Sequence, residues 1–381
     1  MTGPPRDQTE CLLAPAPFKG SFTSGELCEL WAEGLSRAFD NLHVECCPIA
    51  DGGSGTIELL QPLFGGQKHQ VRVAGPVGGF QDTVFFYNRS TRTGLVESSR
   101  VIGLELLSRK NRNPLFATSF PLGQVLARLL DMGAETVLVG LGDTATLDYG
   151  VGMAAALGFK FTDEEGREAI PGGGETIRIS RLDQSGAHEA IGKVRFTVLA
   201  DVRTPVFGER SIARIFGPQK GADEAGVSIL EQGGVSVART LENATGTDIA
   251  QLEMGGAAGG IAGMMKALLG AELKSGSRYI SRVTDLPEKV KRADFIITGE
   301  GRFDPQTFDG KAVSEVISVA AACEKPVSVI CAGTEPGVMA RSSFRTVTGE
   351  RLGKKKGSRL VAGDLAQLAV LAVEDMTSLR R

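Results

Sequence analysis

Short apolar runs that end in a glycine-rich loop and lead into a helical pattern recur along the chain. HVECCPIA runs into DGGSGT and the helical segment IELLQPLF, and TVLVGLG and DFIITGEG are likewise apolar runs that end in glycine-rich loops. Strands that alternate with helices are typical of parallel sheets, because a parallel connection needs a crossover long enough to hold a helix. The pattern predicts an α/β fold with glycine-rich loops at the carboxyl ends of its strands.

The pattern changes in the middle of the chain. From about residue 66 to 100, short alternating segments are joined by glycine turns, which is typical of antiparallel strands. The α/β alternation returns near the end with DFIITGEG and KPVSVICAG. We therefore predict two α/β domains: a discontinuous parallel-sheet domain of residues 1–65 and 291–381, and an inserted domain of residues 66–290.

Composition excludes several classes of protein. The formal net charge of -3 argues against nucleic acid and membrane surfaces as partners. The six cysteines form no Cys-x-x-Cys pair and there are three histidines, which argues against a zinc site or a disulfide framework. No apolar run reaches the roughly 18 residues of a membrane span, and the first residues contain no apolar signal segment. We expect a cytoplasmic enzyme.

Four strand-end loops combine glycines with charged or hydroxyl-bearing side chains. They are APAPFKGSFT (14–23) with Lys19, Gly20 and Ser21; ADGGSGT (50–56) with Asp51, Gly52 and Gly53; GLGDTATLDYGVG (140–152) with Gly140, Gly142, Thr144 and Asp148; and TGEGRFDPQTFDGK (298–311) with Glu300, Gly301, Arg302, Asp304 and Lys311. Asp201 follows another apolar strand. Ligands of open α/β sheets bind beyond the carboxyl ends of the strands, so these loops are expected to converge. Carboxylates with lysines suit Mg²⁺ and phosphate.

One of these loops also supports a different hypothesis. Gly140-Leu-Gly142-Asp-Thr-Ala145 matches the dinucleotide-binding pattern G-x-G-x-x-A, and Asp163 follows at the distance of a ribose-binding acid. This alternative predicts an NAD(P)-dependent dehydrogenase. The chain has no Tyr-x-x-x-Lys set to support it, and no G-x-x-x-x-G-K-[ST] motif for a P-loop kinase.

Five blocks, in order, resemble the glycerate kinases of the bacterial type I family. APAPFKGS (14–21) resembles A-P-D-S-F-K-G-S, ADGGSGT (50–56) resembles A-D-G-G-E-G-T, and GLGDTATLDYGVGM (140–153) resembles G-x-G-G-S-A-T-N-D-G-G-x-G-M. ADVRTPVFG with FGPQKGA (200–208, 216–222) resembles a fourth block, and TGEGRFDPQTFDGK matches the fifth. The resemblance spans about residues 11–340.

The resemblance implies phosphoryl transfer from ATP to D-glycerate, and two α/β domains, one of them flavodoxin-like and discontinuous, with the active site in the cleft between them. Lys19, Lys220 and Lys311 would face phosphates or the substrate carboxylate. The carboxylates expected to hold Mg²⁺ or to orient the hydroxyl are Asp51, Asp201 and Asp304, with Asp148 as a second candidate for the base. The glycines and polar side chains of the four loops, with Lys220, are expected to surround ATP.

The chain departs from the family pattern at several loop positions. They are Ala16 and Pro17 for Asp and Ser, Ser54 for Glu, Asp143, Leu147 and Tyr149 for Gly, Asn and Gly, and Thr204 for Asn. Two interpretations stay open: a working kinase for D-glycerate or a related hydroxy acid, and a non-catalytic homologue that keeps the fold and binds a ligand. A homodimer is possible. The basic segment (350–359), with five Lys or Arg residues, is interpreted as a solvated loop.

Overall fold

The computed structural model describes residues 8–303, 307, 311–334 and 344–377. In chain order the strands are β1 (Thr9–Pro15), β2 (Leu42–Cys46), β3 (Gln67–Ala74), β4 (Phe80–Asn88), β5 (Thr93–Glu97), β6 (Thr136–Gly140), β7 (Lys160–Thr162), β8 (Arg181–Asp183), β9 (Arg195–Leu199), β10 (Glu272–Lys274), β11 (Phe295–Glu300), β12 (Val327–Cys331) and β13 (Arg345–Thr348).

Helices connect most of these strands. They are α1 (Ser24–Ala38), α2 (Thr56–Phe64), α3 (Ser98–Ile102), α4 (Phe120–Asp131), α5 (Val151–Ala156), α6 (Ile212–Phe216), α7 (Glu224–Thr245), α8 (Ile261–Leu269), α9 (Gly276–Val283), α10 (Leu286–Arg292), α11 (Ala312–Ala322) and α12 (Ala362–Thr377). Within the described ranges, no helix is both long enough and apolar enough to cross a membrane.

The chain folds into two compact units. Unit 1 contains Met1–Asp51 and Ser277–Arg381, and unit 2 contains Gly52–Gly276. These limits differ from the predicted boundaries after residues 65 and 290. The reason lies in two contacts: the backbone N–H of Ile57 in α2 donates to the carboxylate of Glu97 in unit 2 at 3.0 Å, and α10 buries Leu286 in the core of unit 1. An active site in the cleft between the domains stays a prediction.

Unit 1 contains a five-stranded sheet in the order β2-β1-β11-β12-β13. Every neighbouring pair is parallel, and the order corresponds to the flavodoxin-like arrangement 2-1-3-4-5, which confirms the expected fold class. Successive residues of a strand point to opposite faces. Leu12 and Ile296 therefore pack towards α10 and α11, whereas Leu13 and Ile297 pack towards α1 and α12.

The direction of the connections in unit 1 reverses between β1 and β11. From β1 the chain crosses through α1 to β2 at one edge, and from β11 it crosses through α11 to β12 on the other side. Such a reversal leaves a crevice beyond the carboxyl ends of the two central strands, where ligands of doubly wound sheets bind. The loops that follow β1 and β11 meet there.

Unit 2 contains a six-stranded mixed sheet in the order β10-β9-β6-β5-β4-β3. The strands β10, β9, β6 and β5 are parallel, and β4 and β3 are antiparallel. The glycine-rich segments from residue 66 onward thus form the predicted antiparallel strands. A separate antiparallel pair, β7 with β8, lies outside this sheet.

Candidate active site

A cavity of about 400 Å³ lies at the reversal point of unit 1. This volume falls within the range of about 300–1,000 Å³ that is usual for small-molecule sites. Its charged and hydroxyl-bearing lining residues are Lys19, Ser21, Asp51, Glu300, Arg302, Lys311, Ser358 and Arg359. Sequence analysis predicted six of these eight, and they come from three loops that are far apart in the chain.

The loop after β1 presents Lys19 and Ser21 on a tight turn. Phe18 and Phe22 exchange backbone hydrogen bonds of 2.9 and 3.0 Å, and Gly20 adopts a φ of 69° at the tip. The start of α1 is already capped, because the carboxylate of Glu26 accepts from Thr23 N at 2.7 Å and Thr23 Oγ1 accepts from Glu26 N at 3.2 Å. The protein's own capping box therefore satisfies N–H groups at this helix start that could otherwise bind an anion.

Ala16 and Pro17, two departures from the family pattern, form an apolar wall of the same cavity. Ala16 is almost fully buried, and its backbone N–H donates to the carbonyl of Gly299 at 2.9 Å, which joins the ends of β1 and β11. Compared with the family pattern, the lining therefore lacks a carboxylate and a hydroxyl group at these two positions.

Glu300, the last residue of β11, and Arg302 in the loop after it both line the cavity. Glu300 is half-buried and accepts a hydrogen bond from Thr307 Oγ1 at 2.6 Å, and the fully buried ring of Phe303 anchors the loop. Asp304, a predicted catalytic and metal-binding residue, lies outside the described residues.

The start of α11 faces the cavity. Lys311 occupies the N-cap position and offers no side-chain oxygen to the first turn, and Ala312 and Val313 line the cavity behind it. The N-terminus of a helix carries a partial positive charge and free N–H groups, which attract anions. The lysine adds a full charge at the same place.

The cavity carries excess positive charge. In the part of its lining that the structure describes, four cationic side chains, those of Lys19, Arg302, Lys311 and Arg359, face two carboxylates, those of Asp51 and Glu300. Within the described part of the chain, Lys311 and Arg359 form no hydrogen bond or ion pair through their side chains. Two uncompensated cations at one helix-start cavity favour an anionic ligand.

Arg359 and Ser358 belong to the basic segment (350–359), which sequence analysis interpreted as a solvated loop. Arg359 is exposed, in agreement with that interpretation, and both residues also line the cavity. The segment folds back after β13, and Gly357 N donates to the carbonyl of Ala332, at the end of β12, at 3.1 Å. The cluster of basic residues in the sequence was the signal that could have indicated this position at the cavity.

Asp148 of unit 2 is fully buried, and its carboxylate accepts hydrogen bonds from several donors. Its Oδ2 accepts from Ser119 N at 2.6 Å, Ser119 Oγ at 2.8 Å, Gly152 N at 3.2 Å and Thr118 Oγ1 at 3.4 Å. Burial raises its pKa, and these donors oppose the shift. Because the carboxylate joins the starts of α4 and α5 and reaches no solvent, we withdraw it as a candidate base.

Lys220 is also buried in unit 2. Its Nζ donates to the carbonyl of Thr146 at 2.8 Å and to Thr144 Oγ1 at 3.3 Å. Burial lowers the pKa of Lys220 to about 7, against the opposing charges of Asp148 and Asp143. The lysine therefore stabilises the loop 140–152 from inside, and Thr144 is buried with it.

Ser54 and Asp143, two further departures from the family pattern, contact each other. Asp143 Oδ2 accepts from Ser54 N at 3.2 Å and from Ser54 Oγ at 2.9 Å. Asp143 adopts a φ of 55°, a left-handed conformation that aspartate tolerates better than most residues. A carboxylate thus lies beside position 54, although residue 54 is a serine.

Four glycines expected at the cofactor serve backbone packing in unit 2. A Cβ on Gly52 would lie 2.3 Å from the carbonyl oxygen of Leu199, and one on Gly140 would lie 2.6 Å from that of Gly52. A Cβ on Gly142 would lie 2.6 Å from the Cα of Gly53. Only glycine permits this approach of the two loops to each other and to the end of β9.

Tyr149, a further departure from the family pattern, packs inside unit 2. Its ring is fully buried against Gly234 and Gly260, and its hydroxyl donates to the carbonyl of Leu230 at 2.6 Å. Sequence analysis missed Glu97, which is buried at the end of β5 and accepts from Ile57 N at the start of α2.

The dehydrogenase hypothesis fails on the position of Asp163. In dinucleotide-binding folds the ribose-binding acid follows a strand that is parallel to the one before the glycine loop. Asp163 follows β7, which pairs antiparallel with β8 outside the main sheet. Its carboxylate is bound by Arg167 at 2.7 Å and Arg178 at 2.8 Å, so it is already neutralised.

Two of the three predicted metal ligands, Asp51 and Asp201, lie within the described residues. Asp51 lines the cavity of unit 1, whereas Asp201 is half-buried at the carboxyl end of β9 in unit 2. Among the described residues, no group of three acidic, histidine or cysteine side chains lies close enough to hold a metal by itself. Mg²⁺ usually takes one or two carboxylates together with substrate phosphates. Asp51 and Glu300 fit that requirement.

Comparison with known proteins decides the family. The model of the glycerate kinase family matches residues 11–348. The chain belongs to the glycerate kinase family. The match ends just before the basic segment (350–359), so Arg359 and Ser358 lie beyond the part that the family model describes.

Relatives within the glycerate kinase family cover most of the chain. A glycerate kinase of Halalkalibacterium halodurans is 34% identical over 326 residues, 86% of each protein. A glycerate 2-kinase of Escherichia coli K12 is 34% identical over 316 residues, 83% of each. A crystal structure from Salmonella typhimurium LT2, described provisionally as glycerate kinase 2, aligns with a TM-score of 0.76 at 27% identity over 98% of this chain and 100% of that one.

Proposed function

We propose that this glycerate kinase family member transfers the γ-phosphoryl group of ATP to a hydroxyl group of D-glycerate and so produces a phosphoglycerate. The name of the Escherichia coli relative specifies the 2-position, and we propose the same position here. Family membership supports the reaction class. A cytoplasmic location and a homodimer stay predictions.

The observation that carries this proposal is the cationic cavity at the reversal point of the unit 1 sheet. Phosphoryl transfer needs positioning and charge neutralisation more than covalent chemistry. Lys311 at the start of α11 supplies a full charge and the N–H groups behind it, and Lys19 and Arg302 supply two further cations. We assign these side chains to the phosphates of ATP.

Asp51 and Glu300 would hold the Mg²⁺ ion, which when bound neutralises charge on the phosphates. The protein's own contribution is to hold both carboxylates beside the cations. Thr307 fixes Glu300 through a hydrogen bond of 2.6 Å, so that this side chain needs little ordering when a ligand enters.

The proposal is tested with a coupled assay of ADP release in the presence of ATP, Mg²⁺ and a panel of hydroxy acids headed by D-glycerate. We expect turnover that depends on D-glycerate, and a product that enolase converts directly, as it does 2-phosphoglycerate. Turnover with a different hydroxy acid alone would show a changed substrate. No turnover, with ATP still raising the melting temperature, would identify a non-catalytic binder and refute the kinase.

The role of Lys311 gives a sharper test. Replacing it by alanine removes the charge at the start of α11, and we expect kcat to fall by at least about 100-fold, or about 2.7 kcal/mol of transition-state stabilisation. Lys291→Ala is the matched control, because that lysine is exposed on α10 and pairs with Glu288. Equal rates in the two variants would contradict the assignment.

A further inference from the structure

The basic segment (350–359) is fixed to unit 1 at several points. Arg351 pairs with Asp375 of α12 at 2.7 Å, and Lys354 pairs with Asp364 near the start of α12 at 2.8 Å. Gly357 lies so close to the end of β12 that a Cβ on Gly333 would come within 2.9 Å of its nitrogen. Each of these contacts contributes little by itself, but together they reduce the number of conformations that the segment can adopt.

The five basic residues of the segment have different surroundings. Arg351 and Lys354 are ion-paired with α12, and Lys355 and Lys356 are exposed to solvent away from the cavity lining. Arg359 alone of the five lines the cavity. The next residue, Leu360, is buried in the core between the sheet and α12, which fixes the backbone beside Arg359.

The guanidinium of Arg359 is available for a ligand. Among the described residues it makes no hydrogen bond or ion pair, and the residue is exposed at the cavity. A guanidinium presents paired N–H groups in a plane, which matches two oxygens of a phosphate or a carboxylate. Arg359 is therefore a further hydrogen-bond donor at the cavity, in addition to Lys19, Arg302 and Lys311, which are already assigned to the phosphates.

Charge decides between the two anions that an arginine could bind. Among the described residues that line the cavity, four cations face two carboxylates, an excess of two positive charges. A monocarboxylate such as glycerate would leave part of that excess, whereas a phosphate chain with a bound divalent cation would neutralise it. The reversal point of a flavodoxin-like sheet is also a place where a phosphate-bearing cofactor binds.

We infer that Arg359 binds the phosphate chain of the nucleotide, and that the basic segment (350–359) holds it in place at the cavity. This inference rests on the proposed function for the identity of the nucleotide as ATP. The segment follows the part of the chain that the family model matches, residues 11–348.

Binding of ATP, of tripolyphosphate and of D-glycerate is measured by calorimetric titration for the wild-type protein, Arg359→Ala and Arg359→Lys. We expect Arg359→Ala to raise Kd for ATP and for tripolyphosphate at least about tenfold, because a charge-assisted, paired contact is lost. We expect Arg359→Lys to recover part of the loss, and the Kd for D-glycerate to change less than about twofold in both variants. Lys355→Ala, which removes one charge from the same segment outside the cavity, should bind ATP as the wild type does.

Three outcomes would overturn the inference or separate it from the proposed function. Equal ATP binding by Arg359→Ala and Lys355→Ala would show a solvated arginine. Weaker binding of D-glycerate with unchanged tripolyphosphate binding would assign Arg359 to the substrate carboxylate instead. ATP binding that depends on Arg359 without any turnover would support the inference and refute the kinase, since titration needs no reaction.

Discussion

Asp148→Ala tests whether the buried carboxylate of unit 2 supports the fold or the chemistry. Removing it leaves the backbone N–H groups of Ser119, Gly150 and Gly152 without their acceptor. Each buried donor that is left unsatisfied costs about 1–3 kcal/mol, and removal of the buried charge offsets part of the total cost of the three donors. We expect the free energy of unfolding to fall by about 3–5 kcal/mol, a large part of the 5–15 kcal/mol of a typical domain.

Asp148→Asn provides the graded comparison. Its amide oxygen can occupy the position of Oδ2 and keep the donors of Ser119, Thr118 and Gly152, so the loss is confined to the contact with Gly150. We expect a loss of about 1–2 kcal/mol and a kcat within about tenfold of the wild type.

Urea unfolding followed by circular dichroism measures both Asp148 variants, with Glu165→Ala, a side chain that is 66% exposed, as the control. Stability within about 1 kcal/mol of the wild type in Asp148→Ala would refute the structural role, since the predicted loss exceeds that margin. A drop in kcat of about 1,000-fold in a stable Asp148→Asn would restore the carboxylate to the catalytic set.

Two further predictions concern unit 2. In the unfolded chain Lys220 stays protonated up to its ordinary pKa of 10.5. In the folded protein the buried amine has a pKa of about 7 and loses its proton above that pH. The unfolded state therefore binds more protons in that window, and the stability of the wild type relative to Lys220→Met should rise from pH 7 towards pH 10 by up to about 1.4 kcal/mol per pH unit. The second prediction concerns the contact between Ser54 and Asp143. Ser54→Glu places two carboxylates together, and we expect the free energy of unfolding to fall by about 1 kcal/mol or more. Adding Asp143→Gly should restore that stability, because it removes one of the charges and the left-handed strain.

Both predictions are checked by melting temperature and urea unfolding. A stability difference between wild type and Lys220→Met that stays constant from pH 7 to 10 would show that the lysine keeps an ordinary pKa. For the carboxylate pair, Asp143→Gly alone serves as the control. A double variant that melts no higher than Ser54→Glu would mean that the two side chains do not share one electrostatic environment.

Local pattern was enough to predict the class of fold and most of the unit 1 cavity. The alternation of apolar runs and helices predicted the parallel sheets, and charged glycine-rich loops at strand ends predicted Lys19, Asp51, Arg302 and Lys311 at one place. These inferences succeed because the carboxyl ends of parallel strands share one edge of the sheet, whatever residues lie between them.

Tertiary packing alone determined how far each charged side chain is buried. Asp148 is buried because Ser119, 29 residues earlier, closes over it, and Lys220 reaches Thr144 across 76 residues. Arg359 reaches the cavity because its segment folds back onto the end of β12. In sequence, Asp51 and Asp148 are both acids in glycine-rich turns. Only the packing of other elements around them leaves the first at a cavity and encloses the second, because burial depends on neighbours that are distant in the chain.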